Sequence, residues 1–436
     1  MSVVSSTPAF SVNVAQQFAN EYYALHGRAE PLPSYQDQNF VIVGKSGRKY
    51  VLKIANAAEN RAVLEAQNQL MEYVSEAHEG LFPYVLESLK GTKIEKIEAS
   101  DGQVYLARML TYLDGTPMGE VKRHSRELMF DLGQKLGILN RSLQNFDHPA
   151  LHRDFEWDLA NGLNLIREKA DSIDDKGFRE LVKSFGDNFE SRTAPLLPAL
   201  RKSTIYNDAN EYNILLGGGD DIFSENQSVT GFIDLGDVMF GLTVGDLAIA
   251  IAYAVLDKPQ PLSVAAEIVK GYHSAFPLTK EEISALSDLV AMRMCMSACV
   301  TAEQRKGQPD NDYLVISQRP IRNTLPKWLE VHPRFAESVF RHACGLVSFA
   351  ASSQTENWLR ERTSSFAQIL PVESPLALDL SIESPLLHGD VDENTEPKLT
   401  RRITELLEKA DAMVGIGQYD EARYIYTSPA FQTGTG

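Results

Sequence analysis

The amino-acid sequence predicts an α+β protein of two lobes, in which a small antiparallel sheet with one helix precedes a larger, mostly helical lobe. In residues 1–110, short runs of β-branched and aromatic residues alternate with turn residues. In residues 111–366, apolar residues at helical spacing dominate from Ser125 onward. Residues 367–436 are expected to form a linker with one helix, because acidic residues there alternate with Pro371, Pro375, Pro385 and Pro397.

The first lobe is predicted as four strands and a helix. Residues 38–43 and 49–54 have the pattern of a hairpin around a glycine-containing turn, and residues 60–77 carry apolar side chains at helical spacing. Two further strands are expected at 94–99 and 104–110, joined by an Asp-Gly turn. These elements together predict an antiparallel sheet that carries one helix.

The second lobe is predicted to be helical except for one hairpin. Its strands are residues 214–216 and 229–233, and the glycine-rich residues 217–221 connect them. Beyond this lobe, a single helix is expected over residues 398–414.

The composition favours a globular protein of two or three packed units. The chain has 436 residues, of which 43% are hydrophobic. Its longest apolar stretch, near residues 244–256, is interrupted by Asp246 and is shorter than the ~20 residues of a membrane-spanning helix. The N-terminus does not resemble a secretory signal and only three cysteines are present, so we expect no membrane span, no disulfide framework and a cytoplasmic location.

The net charge argues for some classes of binding partner and against others. At −17, the chain lacks the excess of Lys and Arg that binds a phosphate backbone, which argues against nucleic acid. An acidic protein suits a cationic or amine-bearing substrate better, although many proteins are acidic simply to stay in solution.

One segment, residues 205–216, has the spacing that phosphoryl transfer requires. Asp208 precedes Asn213 by five positions, and an apolar run follows. The chemistry needs a carboxylate to orient the acceptor hydroxyl and a nearby oxygen ligand for Mg²⁺, and these two residues fit those roles. The predicted hairpin would bring Asp234 close to Asn213 as a second metal ligand. Taken alone, the Asp208–Asn213 spacing favours a surface turn; the apolar run and the later Ile233-Asp234 string favour the phosphoryl-transfer interpretation.

A lysine in the first lobe completes the set. Lys53 interrupts an otherwise apolar strand, and Glu65 lies on the helix that follows. A lysine that points into a cleft needs a partner, and a nucleotide phosphate together with a helix carboxylate would supply one. By itself, Lys53 would favour an edge-strand lysine that reaches out to solvent.

These motifs resemble the aminoglycoside phosphotransferase-like kinases, and within them most closely the hydroxylysine kinase-like branch. The similarity covers roughly residues 10–365 and rests on the strings LEAQNQLMEYV, YLDG, IYNDANEYNILL, FIDLGD and VGDLAIAIAYA. The resemblance implies a bilobal, protein-kinase-like fold that binds ATP or GTP and Mg²⁺.

The resemblance also implies roles for five residues. Lys53 contacts the α- and β-phosphates, and Glu65 fixes Lys53. Asp208 is the catalytic base, and Asn213 and Asp234 bind Mg²⁺.

The resemblance further implies which residues surround the nucleotide. Gln38, Asn39 and Phe40 form a turn over the phosphates. Residues 109–113, from Met109 to Leu113, form the hinge beside the base.

Two further residues near the predicted base, Tyr206 and Asp246, bear on the packing of its loop. The family usually has His two residues before the catalytic Asp, and this chain has Tyr206, which puts the packing of the loop in doubt. Asp246 is expected to be a structural acid that binds the backbone of the catalytic loop.

Three other strings resemble nucleotide-binding or kinase motifs and fail on spacing. Gly44-Lys45-Ser46 has no glycine at position 39 and is followed by a strand. His152-Arg153-Asp154 has Leu159 where the motif needs Asn, and His388-Gly389-Asp390 has Thr395.

The predicted substrate residues are the least specific. Trp157 and Asp158 are interpreted either as a substrate wall whose carboxylate meets an ammonium group, or as a core aromatic and a helix cap. Arg293, on an apolar helix, either grips a substrate carboxylate or takes part in an internal ion pair.

The predicted function is transfer of the γ-phosphate of ATP or GTP, with Mg²⁺, to the hydroxyl of a small amine or amino acid, such as hydroxylysine or ethanolamine. The alternative is a pseudokinase-like binding or docking module. The tail strings DLSIESPLL and GIGQYDEARYIYTSPAF resemble the connector of proteins that continue into peptidase-like and pyridoxal-phosphate aminotransferase-like modules, so a fusion to such modules is expected.

Overall fold

The computed structural model describes residues 7–34, 37–219, 221, 224–307 and 318–347, together with the backbone of three short strands nearer the C-terminus. The chain divides into two compact units. The first comprises the described residues of Met1–Leu128, Ile138–Asp158 and Arg201–Asp246, and the second contains the rest. The predicted hairpin around residues 217–221 is therefore in the same unit as the N-terminal sheet.

The first unit begins with a sheet and two helices. The helices are α1 (Val12–Tyr23) and α2 (Arg61–Ala77). The strands are β1 (Gly27–Leu32), β2 (Gln38–Gly44), β3 (Lys49–Ile54), β4 (Glu95–Glu98) and β5 (Val104–Thr111). They form an antiparallel sheet in the order β1-β2-β3-β5-β4, one face of which packs with α1 around buried apolar residues including Phe18, Phe40, Leu52 and Met109.

Strand β1 and helix α1 were not predicted. The β1 sequence, Gly-Arg-Ala-Glu-Pro-Leu, contains only one fully buried residue and has no β-branched residue. Its pairing with β2 gives it strand structure, from Gly27 opposite Gly44 to Leu32 opposite Asn39. An edge strand of this kind is defined by its partner rather than by its own propensity.

The rest of the first unit contains two small sheets. Their strands are β6 (Thr116–Pro117), β7 (Lys202–Ile205), β8 (Ile214–Gly217), β9 (Ser228–Phe232) and β10 (Met239–Leu242). Strands β6, β8 and β9 form one antiparallel sheet and β10 pairs with β7. The β8–β9 hairpin has the predicted position, with Ile214 opposite Phe232.

Gly231 in β9 allows the chain to approach closely. A Cβ atom there would lie 3.1 Å from the carbonyl oxygen of Gly80 and 3.2 Å from that of Leu81. The Phe232 amide donates to the same Leu81 carbonyl at 2.9 Å. A larger residue at position 231 would push this segment off β9.

The second unit is helical. Its helices are α4 (Gly162–Lys169), α5 (Lys176–Arg192), α7 (Pro261–Ala275), α8 (Lys280–Gly307), α9 (Gln318–Leu329) and α10 (Pro333–Ala343), together with parts of α3 (Arg126–Leu143) and α6 (Val244–Ala254). Helix α8 is long and apolar enough to span a membrane by length and hydropathy, but 94% of its most apolar window is buried. That burial is typical of a core helix.

Three short strands lie nearer the C-terminus. Strands β11 (Ala377–Asp379), β12 (Met413–Gly417) and β13 (Ile425–Ser428) form an antiparallel sheet. The helix predicted for 398–414 falls outside the described residues up to 412, and its last two positions belong to β12 rather than to a helix.

Candidate active site

Asp208 lies on the loop between β7 and β8, and amide side chains from the same loop hold it. Its Oδ2 accepts a hydrogen bond from Nδ2 of Asn213 at 2.7 Å, and its Oδ1 accepts one from Nδ2 of Asn210 at 3.0 Å. The carboxylate is partly exposed and fixed in direction. Asn207, just before it, has a φ of 64°, a left-handed conformation that Asn tolerates better than most residues.

Asp246, at the start of α6, binds the backbone of this loop. It is completely buried, and its two carboxylate oxygens accept hydrogen bonds from the backbone amides of Tyr206 at 3.0 Å and Asn207 at 2.6 Å, and from Nδ2 of Asn140 at 2.6 Å. Burial raises the pKa of Asp246 to about 6, against the lowering effect of these three donors. These contacts are those expected of a structural acid that binds the catalytic-loop backbone.

Tyr206 connects the loop to the strand that leads to Asp234. Its hydroxyl donates a hydrogen bond to the backbone carbonyl of Ile233. The ring is buried between Phe82 and Phe232, with ring centroids 5.7 and 5.8 Å away. Burial, followed by the nearby carboxylates of Asp208 and Asp234, raises the pKa of Tyr206 well above its usual value, so the hydroxyl stays protonated as a donor.

We expect Tyr206→Phe to lower the free energy of unfolding by about 1–2 kcal/mol, because it removes the donor to the Ile233 carbonyl and keeps the ring packing. Urea unfolding monitored by circular dichroism measures this change. Phe82→Leu is the matched control, since it alters the aromatic cluster and keeps the hydroxyl. An unfolding free energy equal to that of the wild type in Tyr206→Phe would show that the hydroxyl does not tie the loop to the strand.

Asp234 follows β9 and binds Lys53. Its φ is 59°, and its Oδ1 accepts hydrogen bonds from Nζ of Lys53 at 2.8 Å and from the Gly236 amide at 3.1 Å. The Lys53 side chain is 10% exposed and that of Asp234 is 43% exposed. Desolvation alone would raise the pKa of Asp234, but the charge and hydrogen bond of Lys53 outweigh it, so that pKa is lowered and the group stays ionised.

The ends of β8 and β9 bring Asn213 beside Asp234. The Ile233 amide donates to the Asn213 carbonyl oxygen at 3.0 Å, which makes Asn213 and Ile233 neighbours across the hairpin. Among the described residues no cluster of three or more His, Cys, Asp or Glu side chains could hold a metal alone. Asn213 and Asp234 offer an amide and a carboxylate oxygen, the hard ligands that Mg²⁺ prefers, and phosphate oxygens and water would have to complete the shell.

The predicted pair of Glu65 and Lys53 is not formed. Glu65 is half-buried on α2 and pairs with Arg61 at 2.8 Å, whereas Lys53 pairs with Asp234. Arg61 lies one turn before Glu65 on the same helix face, so the local i,i+4 ion pair forms instead of the long-range one.

The residues predicted for the turn over the phosphates lie inside a strand. Gln38, Asn39 and Phe40 belong to β2; Phe40 is in the core, and Gln38 pairs with the backbone of Phe10 at 2.7 and 2.9 Å. Residues 33–37 connect β1 to β2, and 35 and 36 are outside the described residues. The prediction that Gln38, Asn39 and Phe40 form a turn is therefore wrong, because these residues pair with β1 and β3.

The predicted hinge begins within β5. Met109 is a buried core residue whose carbonyl accepts from the Leu86 amide at 2.8 Å. Leu113 lies past the end of β5 and is half-buried. Its Cδ1 lies next to Gly231, where an added Cβ would come within 2.9 Å. The segment after Thr111 therefore runs along β9, the strand that leads to Asp234.

The three residues predicted to bind the substrate belong to different units. Trp157 and Asp158 are half-buried in the first unit, and the Asp158 amide donates to the Phe155 carbonyl at 3.1 Å. Arg293 is buried on α8 in the second unit, with its guanidinium 5.6 Å from the centre of the Tyr253 ring.

The rejected His152-Arg153-Asp154 string contributes a residue that sequence reasoning missed. Arg153 donates to the carbonyls of Gly236 at 2.9 Å and Val238 at 3.1 Å, so it holds the loop that follows Asp234. Its guanidinium lies 4.4 Å from the centre of the Phe155 ring. The sequence carries no local signal for this contact, because the partners are main-chain oxygens more than 80 residues away.

Comparison with known proteins identifies the family and the fold. The hydroxylysine kinase of Danio rerio is 31% identical, over 75% of this chain and 94% of that protein, and the hydroxylysine kinase of Mus musculus is 29% identical, over 78% and 94%. Among solved structures, an amicoumacin kinase bound to AMP-PNP and Ca²⁺ has a TM-score of 0.54 at 15% identity, over 75% of this chain and 93% of that one. A microcompartment-associated aminopropanol kinase has a TM-score of 0.50 at 15% identity, over 78% and 100%.

The structural likeness confirms the predicted kinase-like α+β fold. The model of the family described as "APH: Phosphotransferase enzyme family" matches residues 28–284, more than half of the chain. The predicted family is thus confirmed, and this chain belongs to the APH phosphotransferase enzyme family.

Proposed function

We propose that this small-molecule kinase transfers the γ-phosphoryl group of ATP or GTP, with Mg²⁺, to a hydroxyl of a small amine or amino acid. The observation that carries the proposal is the Lys53–Asp234 ion pair of 2.8 Å in the same compact unit as the Asp208–Asn213 hydrogen bond of 2.7 Å. A cation, a carboxylate, an amide and a second carboxylate, in this order along the chain, are the groups that phosphoryl transfer uses.

Each of these groups has a proposed task. Asp208, held by Asn210 and Asn213, accepts a hydrogen bond from the acceptor hydroxyl and takes its proton as the oxygen attacks. Lys53 binds phosphate oxygens and is held in place by Asp234 until they arrive. Catalysis then rests mainly on alignment of the two substrates and on neutralisation of the transferred charge.

Asn213 and Asp234 would hold Mg²⁺. The fit rests on their oxygen donors and on the lowered pKa of Asp234, which keeps that carboxylate charged. When bound, Mg²⁺ supplies positive charge to the phosphate oxygens.

The substrate class is supported by relatives and by charge. Two relatives are named hydroxylysine kinases and a structural neighbour is named an aminopropanol kinase, and all three names denote hydroxylated amines. A chain with a net charge of −17 suits a cationic substrate. Trp157 and Asp158 are proposed to contact the ammonium group of the substrate.

A nucleotide-consumption screen tests the proposal. Purified protein is incubated with ATP or GTP and Mg²⁺ against 5-hydroxylysine, ethanolamine and 1-amino-2-propanol, with lysine as the matched compound that lacks the hydroxyl. We expect ADP or GDP release and a phosphorylated product with at least one hydroxylated amine, none with lysine, and loss of turnover when EDTA removes the metal. The absence of a phosphorylated product from every hydroxylated amine and amino acid would refute this function.

A further inference from the structure

A second buried cation lies beside Lys53. Arg108 on β5 is directly opposite Lys53 on β3, and Lys53 is in turn opposite Asn39 on β2. Residues directly opposite on neighbouring strands point to the same face, with Cβ atoms about 5 Å apart. Lys53 is 9% exposed and Arg108 is 5% exposed, so one face of the sheet presents two buried positive side chains next to each other.

The direct partners of Arg108 are all uncharged and all belong to α2. Its Nη2 donates to Oε1 of Gln67 at 2.7 Å, and its Nη1 donates to Oδ1 of Asn68 at 2.8 Å and to the Leu64 carbonyl at 3.3 Å. Burial lowers the pKa of Arg108, opposed by the charges of Asp37, Asp234 and Glu59. A guanidinium nevertheless stays protonated inside a protein. Among the described residues, uncharged groups of α2 satisfy the hydrogen bonds of the cation, and these three carboxylates act on it through space.

Attachment of α2 to the sheet does not by itself explain why residue 108 carries a positive charge. Arg108 does attach α2 to the sheet, in the place where the sequence predicted a Lys53–Glu65 pair. A neutral donor could make the same contacts with Gln67 and Asn68, without the free-energy cost of burying a cation beside another one. Like charges on directly opposite strand residues repel each other, so an anion that binds next to the pair relieves this repulsion.

We propose that Arg108 is a specificity-determining residue for the polyphosphate of the nucleotide, acting through its charge next to Lys53. This inference rests on the proposed function, which makes a nucleoside triphosphate the ligand of Lys53. The carboxylates of Asp37, Asp234 and Glu59 act on Arg108 in the free protein. Each phosphate bound at Lys53 adds attraction to the Arg108 charge, so affinity rises with the number of phosphates. Arg108 also holds α2 while the nucleotide binds, so it is a positioning residue and need not touch the ligand.

The test measures binding of the nucleoside and its mono-, di- and triphosphate by isothermal titration calorimetry at fixed Mg²⁺. Arg108→Met removes the charge, Arg108→Lys keeps it, and Gln67→Met keeps it while removing one acceptor on α2. Arg48→Met, on the exposed β2–β3 turn, is the matched control for loss of a positive charge elsewhere on the sheet. Circular dichroism verifies that each variant is folded.

We expect Arg108→Met to weaken triphosphate binding by about tenfold and to leave nucleoside binding within about twofold of the wild type. Arg108→Lys, Gln67→Met and Arg48→Met should keep the wild-type gain in affinity per phosphate. If Arg108→Met does not fold, the comparison of Arg108→Gln with Arg108→Lys serves instead.

The following results would overturn the inference. Equal losses for nucleoside and triphosphate in Arg108→Met, or the same loss in Gln67→Met, would make Arg108 a structural attachment of α2 only. A wild-type protein that binds no nucleotide would refute the proposed function and this inference with it. A wild type that binds triphosphate well while Arg108→Met keeps the full gain per phosphate would refute the inference alone.

Discussion

Asp208→Asn is expected to lower kcat by about 10²- to 10⁴-fold, the usual contribution of a general base, while the protein stays folded and binds nucleotide. The substituted amide keeps one oxygen to accept from Asn213 or Asn210 but cannot take the proton of the acceptor hydroxyl. Initial rates of ADP or GDP release, measured with the best hydroxylated amine from the screen, give kcat. Calorimetric titration of the nucleotide shows that binding is kept.

The same substitution in a rejected motif is the control. Asp154 is exposed in the His-Arg-Asp string, which fails the spacing test, so Asp154→Asn should leave kcat within about twofold of the wild type. If Asp208→Asn keeps the wild-type kcat, or if Asp154→Asn loses it, the assignment of the base to Asp208 is wrong.

The sequence was sufficient for the part of the site that is local in the chain. Asp208 and Asn213 are on one loop, and Asp234 follows the second strand of a short hairpin. Five-residue spacing and alternating apolar runs determine the geometry of such a unit, so sequence alone predicted it. The contact of Asp246 with the loop backbone came from family resemblance, and the structure has it.

Contacts that depend on register and on helix rotation were not predicted. Glu65 was assigned to the cleft because a carboxylate on the helix after the lysine strand was expected to pair with Lys53. On α2, however, Gln67 and Asn68 point to the sheet and Glu65 points to solvent. Successive residues differ by about 100° around a helix, so a pattern that locates the helix does not show which polar residue faces Lys53.

Arg108 illustrates the same limit in a strand. The run that contains it predicts β5, but its position opposite Lys53 depends on the pairing of two strands about 50 residues apart in the chain. The missed β1 had a related consequence, because without its partner strand the residues at the start of β2 were predicted to form a turn. Tyr206 shows how the loop tolerates loss of the usual His: a longer side chain with one hydroxyl reaches the Ile233 carbonyl.

Asp246→Ala is expected to lower the free energy of unfolding by about 3–5 kcal/mol and kcat by about 10²-fold. The change removes both acceptor oxygens from a fully buried site, so the amides of Tyr206 and Asn207 and the side chain of Asn140 lose their partner; each unsatisfied donor costs about 1–3 kcal/mol. The effect on kcat follows because Asp208 comes directly after these two amides, and a displacement of about 1 Å at a reacting group is enough for such a loss. Urea unfolding and initial rates measure the two quantities.

Two control variants separate the acceptor from the charge at this position. Asp246→Asn keeps one acceptor oxygen and removes a buried charge that burial already disfavours, as the raised pKa of about 6 indicates, so its losses should be smaller than those of Asp246→Ala. Asn140→Ala removes a single side-chain donor and leaves both backbone contacts, so kcat should stay within about threefold of the wild type. Equal losses of kcat in Asn140→Ala and Asp246→Ala would show that the backbone contacts do not position Asp208. An Asp246→Ala variant with wild-type kcat would show that the loop keeps its conformation without this carboxylate. Asn210 and Asn213 would then be sufficient to orient Asp208 toward the acceptor hydroxyl.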